Sequence, residues 1–94
     1  MGELILINND IVFNCRVCGL GKTYNPWGKD GKCPDYSICR CCGCEFGNDD
    51  WTIESIQEYR EKWLDNGNKW FEKKQQPKNW DLEAQLKNIP VEYQ

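Results

Sequence analysis

Apolar positions divide the chain into a β-like front and a helical rear. Leu4–Ile7 and Ile11–Phe13 are short runs of β-prone residues, separated by the turn-forming Asn8-Asn9-Asp10. They predict a hairpin leading into the first cysteines. Residues 19–38 carry no such run. Gly19, Gly21, Asn25-Pro26, Gly28, Asp30-Gly31 and Pro34 punctuate them, which predicts a loop-rich excursion. Beyond it the period changes. Ile53, Ile56, Tyr59 or Arg60, Trp63 and Leu64 recur at spacings that share one face of a helix over 52–66. Thr52 is placed to cap its start, Glu54 sits in its first turn, and Asn66-Gly67 supply a stop. A shorter helix is predicted from about Asp81 to Lys87. Leu82, Leu86 and Ile89 form its stripe, Asn79 or Asp81 caps it, and Pro90 ends it.

A long loop without regular structure is out of place in a small domain unless something fastens its ends. The cysteines supply that fastening. Cys15-Arg16-Val17-Cys18-Gly19 and Cys39-Arg40-Cys41-Cys42-Gly43 are both Cys-x-x-Cys-Gly segments, with twenty residues between Cys18 and Cys39. This spacing is that of a four-thiolate zinc site. Each pair offers two sulfurs to one ion. The glycine behind each pair permits a positive φ, which lets amides turn toward the sulfurs. The candidate ligands are Cys15, Cys18, Cys39 and Cys42. Cys39, Cys41, Cys42 and Cys44 also allow a 41/44 register, and Cys33 is a further alternative ligand. The glycine position favours 39/42. Iron is the alternative to Zn2+ in the same all-sulfur donor set. The sequence has no histidine, so any metal site must draw on thiolates and carboxylates.

Composition narrows the function classes. The 94 residues are read as one domain, with 1–47 a zinc-ribbon-like half and 48–94 a helical half packed on it. Hydrophobic content is only 39%, offset by five Trp, four Tyr and three Phe, which suits a thin core reinforced by a metal. Twelve Lys and Arg against 15 Asp and Glu give a net charge of −3, which works against general affinity for nucleic acid or anionic membrane. Lys69, Lys73, Lys74 and Lys78 make a local basic stretch, read as a solvated surface. No segment approaches the roughly 18–20 apolar residues of a membrane span. Residues 1–14 lack the basic, apolar and small-residue regions of an export signal. With seven cysteines, an odd number, the expected location is the reducing cytoplasm, where paired cysteines favour metal over disulfide. There is no glycine-rich phosphate loop and no Ser/His/Asp set, and a closed four-cysteine site has no open position for hydrolysis. The chain is therefore not expected to be an enzyme.

Several stretches resemble the bacterial cysteine-rich CPCC family. They are Cys15-x-x-Cys18-Gly19, Tyr36-Ser37-Ile38-Cys39-x-Cys41-Cys42-Gly43, Glu45-Phe46-Gly47 with Asp49-Asp50, and Tyr59-Arg60-Glu61-Lys62-Trp63 followed by Gly67 and Trp70-Phe71. The resemblance covers roughly residues 13–90. It departs at the name-giving motif, which here is Cys39-Arg40-Cys41-Cys42 without the proline, and at Cys44, where an aromatic is more usual. Members are small zinc-binding proteins, some encoded near polymorphic-toxin genes. The resemblance thus implies a fold-stabilising metal and an immunity role against a toxin, with the acidic Asp49-Asp50 segment meeting a basic active site.

The fold class expected is small α+β: a zinc ribbon-like four-cysteine knuckle domain with short β-hairpins and C-terminal helices. The function expected is a non-enzymatic zinc-binding protein, whose structural site supports a protein-protein interaction module. One or two of Trp27, Trp51, Trp70 and Trp80 are expected to be exposed as anchors. The alternatives are a rubredoxin-like iron electron-transfer protein, a nucleic-acid-binding zinc ribbon, and thiol redox chemistry at Cys39 and Cys42.

Overall fold

In the computed structural model, which describes residues 10–94, Phe13–Asn14 form β1 and Gly21–Lys22 form β2. They pair antiparallel in the register Phe13↔Lys22 and Asn14↔Gly21. The Val12 amide extends the pairing by donating to the Lys22 carbonyl at 2.9 Å. The hairpin therefore folds around the first cysteine pair, whereas the apolar runs predict one ahead of it. The expected arm Leu4–Ile7 lies outside the described residues. Gly21–Lys22, expected as loop, is strand because the cysteine turn brings it back onto Phe13. A two-residue strand carries no alternation by which periodicity could find it.

The helix over 52–66 is α1, Ile53–Asp65. Thr52 caps it reciprocally with Ser55. The Ser55 amide donates to Thr52 Oγ1 at 3.0 Å, and the Thr52 amide donates to Ser55 Oγ at 3.1 Å. Ile56 and Trp63 face the core, but Ile53 is exposed, because the first turn stands beside the exposed Trp51 and beyond the core edge. The shorter helix is α2, Leu82–Leu86, and the Asp81 carboxylate accepts the Ala84 amide at its start. Single 3-10 turns at Lys73–Gln75 and Val91–Tyr93 complete the small α+β architecture. None of the described helices is long and apolar enough to cross a membrane.

The core is unusual in being made of thiols. Six of its buried members are Cys15, Cys18, Cys39, Cys41, Cys42 and Cys44, joined by Val17, Phe46, Ile56, Trp63 and Trp70. Trp80 stands edge-on to Trp70, with ring centres 5.5 Å apart, and closes one side. On the other side Trp27 is buried beneath Trp51, with ring centres 5.3 Å apart, and Trp51 is 60% exposed. Of the four tryptophans considered as anchors, Trp51 is the one on the surface.

Asp50 is fully buried, which corrects the expectation that it forms part of an acidic contact surface. Its carboxylate accepts the Trp27 indole N–H at 2.9 Å and the Gly47 amide at 2.7 Å. Asp49 is likewise engaged, accepting the Glu45 amide at 2.9 Å. The pair is a brace for the loop after the second knuckle. Asp50→Ala leaves a buried indole donor unsatisfied, and a cost of about 1–3 kcal/mol is expected for such a group. Denaturant unfolding of the metal-loaded protein measures it. A loss within error of zero means that the brace is dispensable.

Candidate metal centre

Each Cys-x-x-Cys-Gly segment forms the same turn. In the first, the Gly19 amide donates to the Cys15 carbonyl at 2.8 Å and the Cys15 amide to the Leu20 carbonyl at 2.9 Å. In the second, the Gly43 amide donates to the Cys39 carbonyl at 2.9 Å and the Cys39 amide to the Cys44 carbonyl at 2.8 Å. Asn14↔Gly21 closes the first turn, and the isolated bridge Ile38↔Glu45 closes the second. The two turns are one structure written twice. Gly19 and Gly43 carry φ of 87° and 84°, a backbone conformation that side chains other than hydrogen resist. Gly19 is further confined, since a Cβ there meets the Gln85 carbonyl oxygen.

The repetition brings Cys15, Cys18, Cys39 and Cys42 together. Their four Sγ atoms all lie within 4.8 Å of one another, and all four residues are buried. Cys15 and Cys42 approach to 3.8 Å, and Cys18 and Cys39 to 3.7 Å. Four sulfurs placed tetrahedrally at the zinc–thiolate bond length of about 2.3 Å stand about 3.8 Å apart. The donor type suits a tetrahedral metal ion, and the Cys15–Cys42 and Cys18–Cys39 separations match the edge of such a site. No disulfide joins any of the cysteines.

The remaining cysteines take different places. Cys33 is exposed in the loop and is not part of the set. Cys41 is buried, and its Sγ accepts the Gln85 Nε2–H at 3.4 Å. Cys44 is buried with Sγ 3.8 Å from that of Cys15. By the equivalence of the two turns, Cys41 occupies the position of Val17 and Cys44 that of Leu20.

Three side chains that the cysteine pattern does not reveal hold the turns in place. Arg60 of α1 donates from Nε to the Val17 carbonyl at 2.7 Å, and from one terminal nitrogen to the carbonyls of Arg16 and Tyr93 at 2.8 and 2.6 Å. Its neighbour Tyr59 donates from its hydroxyl to the Cys42 carbonyl at 3.2 Å. Gln85 of α2 donates to the Cys18 carbonyl at 3.1 Å, and its own carbonyl accepts the Trp80 indole N–H at 2.7 Å. Helical periodicity places Arg60 on the apolar face of α1, and a charged residue among Ile56 and Trp63 is the one sequence signal that a carbonyl cluster lies beneath.

The electrostatics are those of a crowded thiol cluster. Burial pushes the Cys18 and Cys42 thiols well above the usual range. Cys44 is raised chiefly by its interaction with Cys15. Burial also opposes ionisation of Cys15, but the Cys18, Cys42 and Cys44 thiols outweigh it and lower Cys15 to about 5. Cys39 is driven down, first by Cys15. A dication held by these sulfurs would deprotonate its ligands. Burial lowers the Arg60 guanidinium, and the nearby Cys15 and Cys18 oppose that shift without cancelling it.

No family model matches the chain, and no solved structure matches it. Two curated relatives do, both from Bacillus subtilis (strain 168). The chain is 32% identical to the uncharacterized protein YozI, over 62% of this chain and 61% of the relative. It is 34% identical to the uncharacterized protein YoaQ, over 58% of this chain and 59% of the relative. The chain therefore spans about three fifths of the length of these relatives.

Two outcomes follow from the site. Arg60→Met keeps an unbranched apolar side chain while removing three hydrogen bonds to part-buried carbonyls. A loss of about 2–4 kcal/mol in metal-loaded stability is expected, from hydrogen bonds of about 1.5–3 kcal/mol each when charged and partial compensation by water. Metal affinity is expected to fall as the pH falls, because each ligating thiol must give up its proton to bind. Competition titrations at a series of pH values, with proton release followed in weak buffer, check the sign. A pH-independent affinity contradicts a thiolate site.

Proposed function

We propose that this chain is a non-enzymatic zinc protein in which Cys15, Cys18, Cys39 and Cys42 hold a structural ion, forming a zinc-ribbon-like head on a helical base. The observation that carries this reading is the pair of equivalent turns converging four buried sulfurs within 4.8 Å of one another, two of the separations matching the edge of a zinc–thiolate tetrahedron. Four protein donors leave no coordination position for a substrate, which favours a structural over a catalytic role. The reducing cytoplasm is the compartment in which such thiols persist.

The role that the ion supports is docking of a protein partner. Trp51 projects from the surface over Trp27, and the Arg16 guanidinium lies over the rings of Trp27 and Tyr93 at 4.2 and 4.6 Å. Together with Gly31 and Lys32 these residues line a cleft of about 540 Å3. Trp, Tyr and Arg are the residue types that concentrate binding energy at protein interfaces. A toxin is the partner class that the resemblance to the CPCC family suggests. Nucleic acid is disfavoured by the net charge, and a gel shift at low salt addresses it directly.

A second reading, an iron electron-transfer centre, shares the same donor set, since an all-sulfur tetrahedron accepts iron as well as zinc. Elemental analysis of protein purified under reducing conditions separates the two. One zinc per chain and a colourless solution are expected, whereas red protein containing iron selects the alternative. Apparent binding energies of structural zinc in finger peptides are about 10–16 kcal/mol, against net stabilities of about 5–15 kcal/mol for whole domains. Metal removal by a strong chelator is therefore expected to abolish the near-ultraviolet circular dichroism of the buried tryptophans. An unchanged signal in metal-free protein overturns the structural role.

A further inference from the structure

Arg16 follows Cys15 in the first turn, and its main chain is fixed there, its carbonyl accepting the Arg60 guanidinium at 2.8 Å. Its own guanidinium lies over two rings, 4.2 Å from the centre of Trp27 and 4.6 Å from that of Tyr93. Both rings are anchored. The buried Asp50 carboxylate accepts the Trp27 indole N–H at 2.9 Å, and the Tyr93 carbonyl accepts Arg60 at 2.6 Å. Stacking of this kind occupies the faces of a guanidinium and leaves its edge, a rigid fork of N–H donors, for another group. Among the described residues that edge has no carboxylate partner and donates no hydrogen bond. Arg60, by contrast, directs its donors to main-chain carbonyls.

The cleft beside Arg16 carries a second cation and no acid. Its lining is Arg16, Trp27, Gly31, Lys32, Trp51 and Tyr93. Asp30, the acid nearest Lys32 in sequence, has its carboxylate on the Lys32 amide at 2.9 Å, and Asp50 is enclosed and bonded to the Trp27 indole. In a chain of net charge −3 the cleft is therefore a local reversal of sign beside an exposed indole. We propose that its occupant is an acidic peptide segment of a partner protein, with a carboxylate on the Arg16 edge near Lys32 and a neighbouring apolar side chain on Trp51. The proposal rests on the docking reading above and adds the sign of the partner's charge. A carboxylate matches the planar fork with two parallel hydrogen bonds. Apolar cover from Trp51 excludes water from that pair, as around the anchors of protein interfaces. A guanidinium already held on two rings loses little freedom when the carboxylate arrives.

Blocked octapeptides added to the metal-loaded chain test this. Three share a central Leu-Phe pair and differ in their flanks, which are Glu and Asp, Gln and Asn, or Lys. Binding is read from the indole N–H resonances of Trp51 and Trp27 and from the guanidinium resonance of Arg16. The acidic peptide is expected to move all of them and to bind about tenfold or more tightly than the amide version, the scale of one charged hydrogen bond. Added salt is expected to weaken the acidic peptide and to leave the amide version unchanged. Arg16→Gln and Lys32→Gln are expected to weaken the acidic peptide alone, and Arg16→Lys to restore only part of the loss, since an ammonium lacks the fork. Trp51→Ala is expected to weaken the acidic and amide peptides alike. Lys32 is exposed, so Lys32→Gln decides the matter if Arg16→Gln fails to fold with metal. Equal affinity of the acidic and amide peptides overturns the proposal, and so does inorganic phosphate that displaces the acidic peptide at equal concentration, the mark of a general anion site. Binding that depends on Trp51 but not on peptide charge removes the acidic assignment and leaves the docking reading standing. If no peptide moves the Trp51 or Trp27 signals, the docking reading of this cleft falls with it.

Discussion

Every other part of this structure depends on keeping four sulfurs within 4.8 Å of one another inside a small core. Buried thiols are ordinary apolar groups, but buried thiolates without a counter-ion are among the costliest things a protein can enclose. The cluster therefore has two electrostatic conditions. Protonated, it is a set of thiols in contact with one another. A dication at its centre would take the place of their protons. A core with so few large aliphatic side chains has little else to fix the geometry of residues 15–46, since Val17 and Phe46 are the only large aliphatic or aromatic residues among the fully buried ones in that span.

The helical half holds the two cysteine turns in place. Four converging sulfurs by themselves would leave the turns free to pivot about their common centre. Adjacent residues of α1 remove that freedom: Tyr59 binds the carbonyl of Cys42 in the second turn, and Arg60 binds the carbonyl of Val17 in the first. One helical turn thus spans both knuckles. Gln85 of α2 adds a third point by holding the Cys18 carbonyl. These contacts go to main-chain oxygens of the ligand turns, so the helix reads the turns' shape and not their side chains.

The legible part of the sequence was the part with a period or a spacing. The matched Cys-x-x-Cys-Gly segments favour the four cysteines that come together, because a ligand turn is a local structure with its own local signature, although they leave a 41/44 register open. The helix from Ile53 and its Thr52 cap are legible for the same reason. What escaped is non-local. The strand pairing of Phe13–Asn14 with Gly21–Lys22 is too short to leave a pattern, and it is imposed by the cysteine turn it encloses. Asp50 reads as a surface acid beside Asp49, and only the fold shows that Trp27 and Gly47 draw it inside. Arg60 and Gln85 have no motif either, since any donor of suitable reach satisfies a carbonyl.

The deepest departure from the repeat is also the most informative. The two turns match in their hydrogen bonds, their glycines and their closing pairs, so their differences mark where one was adapted. Val17 and Leu20 of the first turn correspond to Cys41 and Cys44 of the second. Both replacements put a polarizable, ionisable sulfur where an aliphatic group suffices for packing. Cys41 is engaged by its hydrogen bond from Gln85, which gives it a structural occupation. Cys44 makes no bond to a side chain of the helical half, and its Sγ lies 3.8 Å from that of Cys15. The asymmetry between two otherwise equal turns therefore lies in what lines the thiol cluster, aliphatic carbon on the side of the first turn and further sulfur on the side of the second.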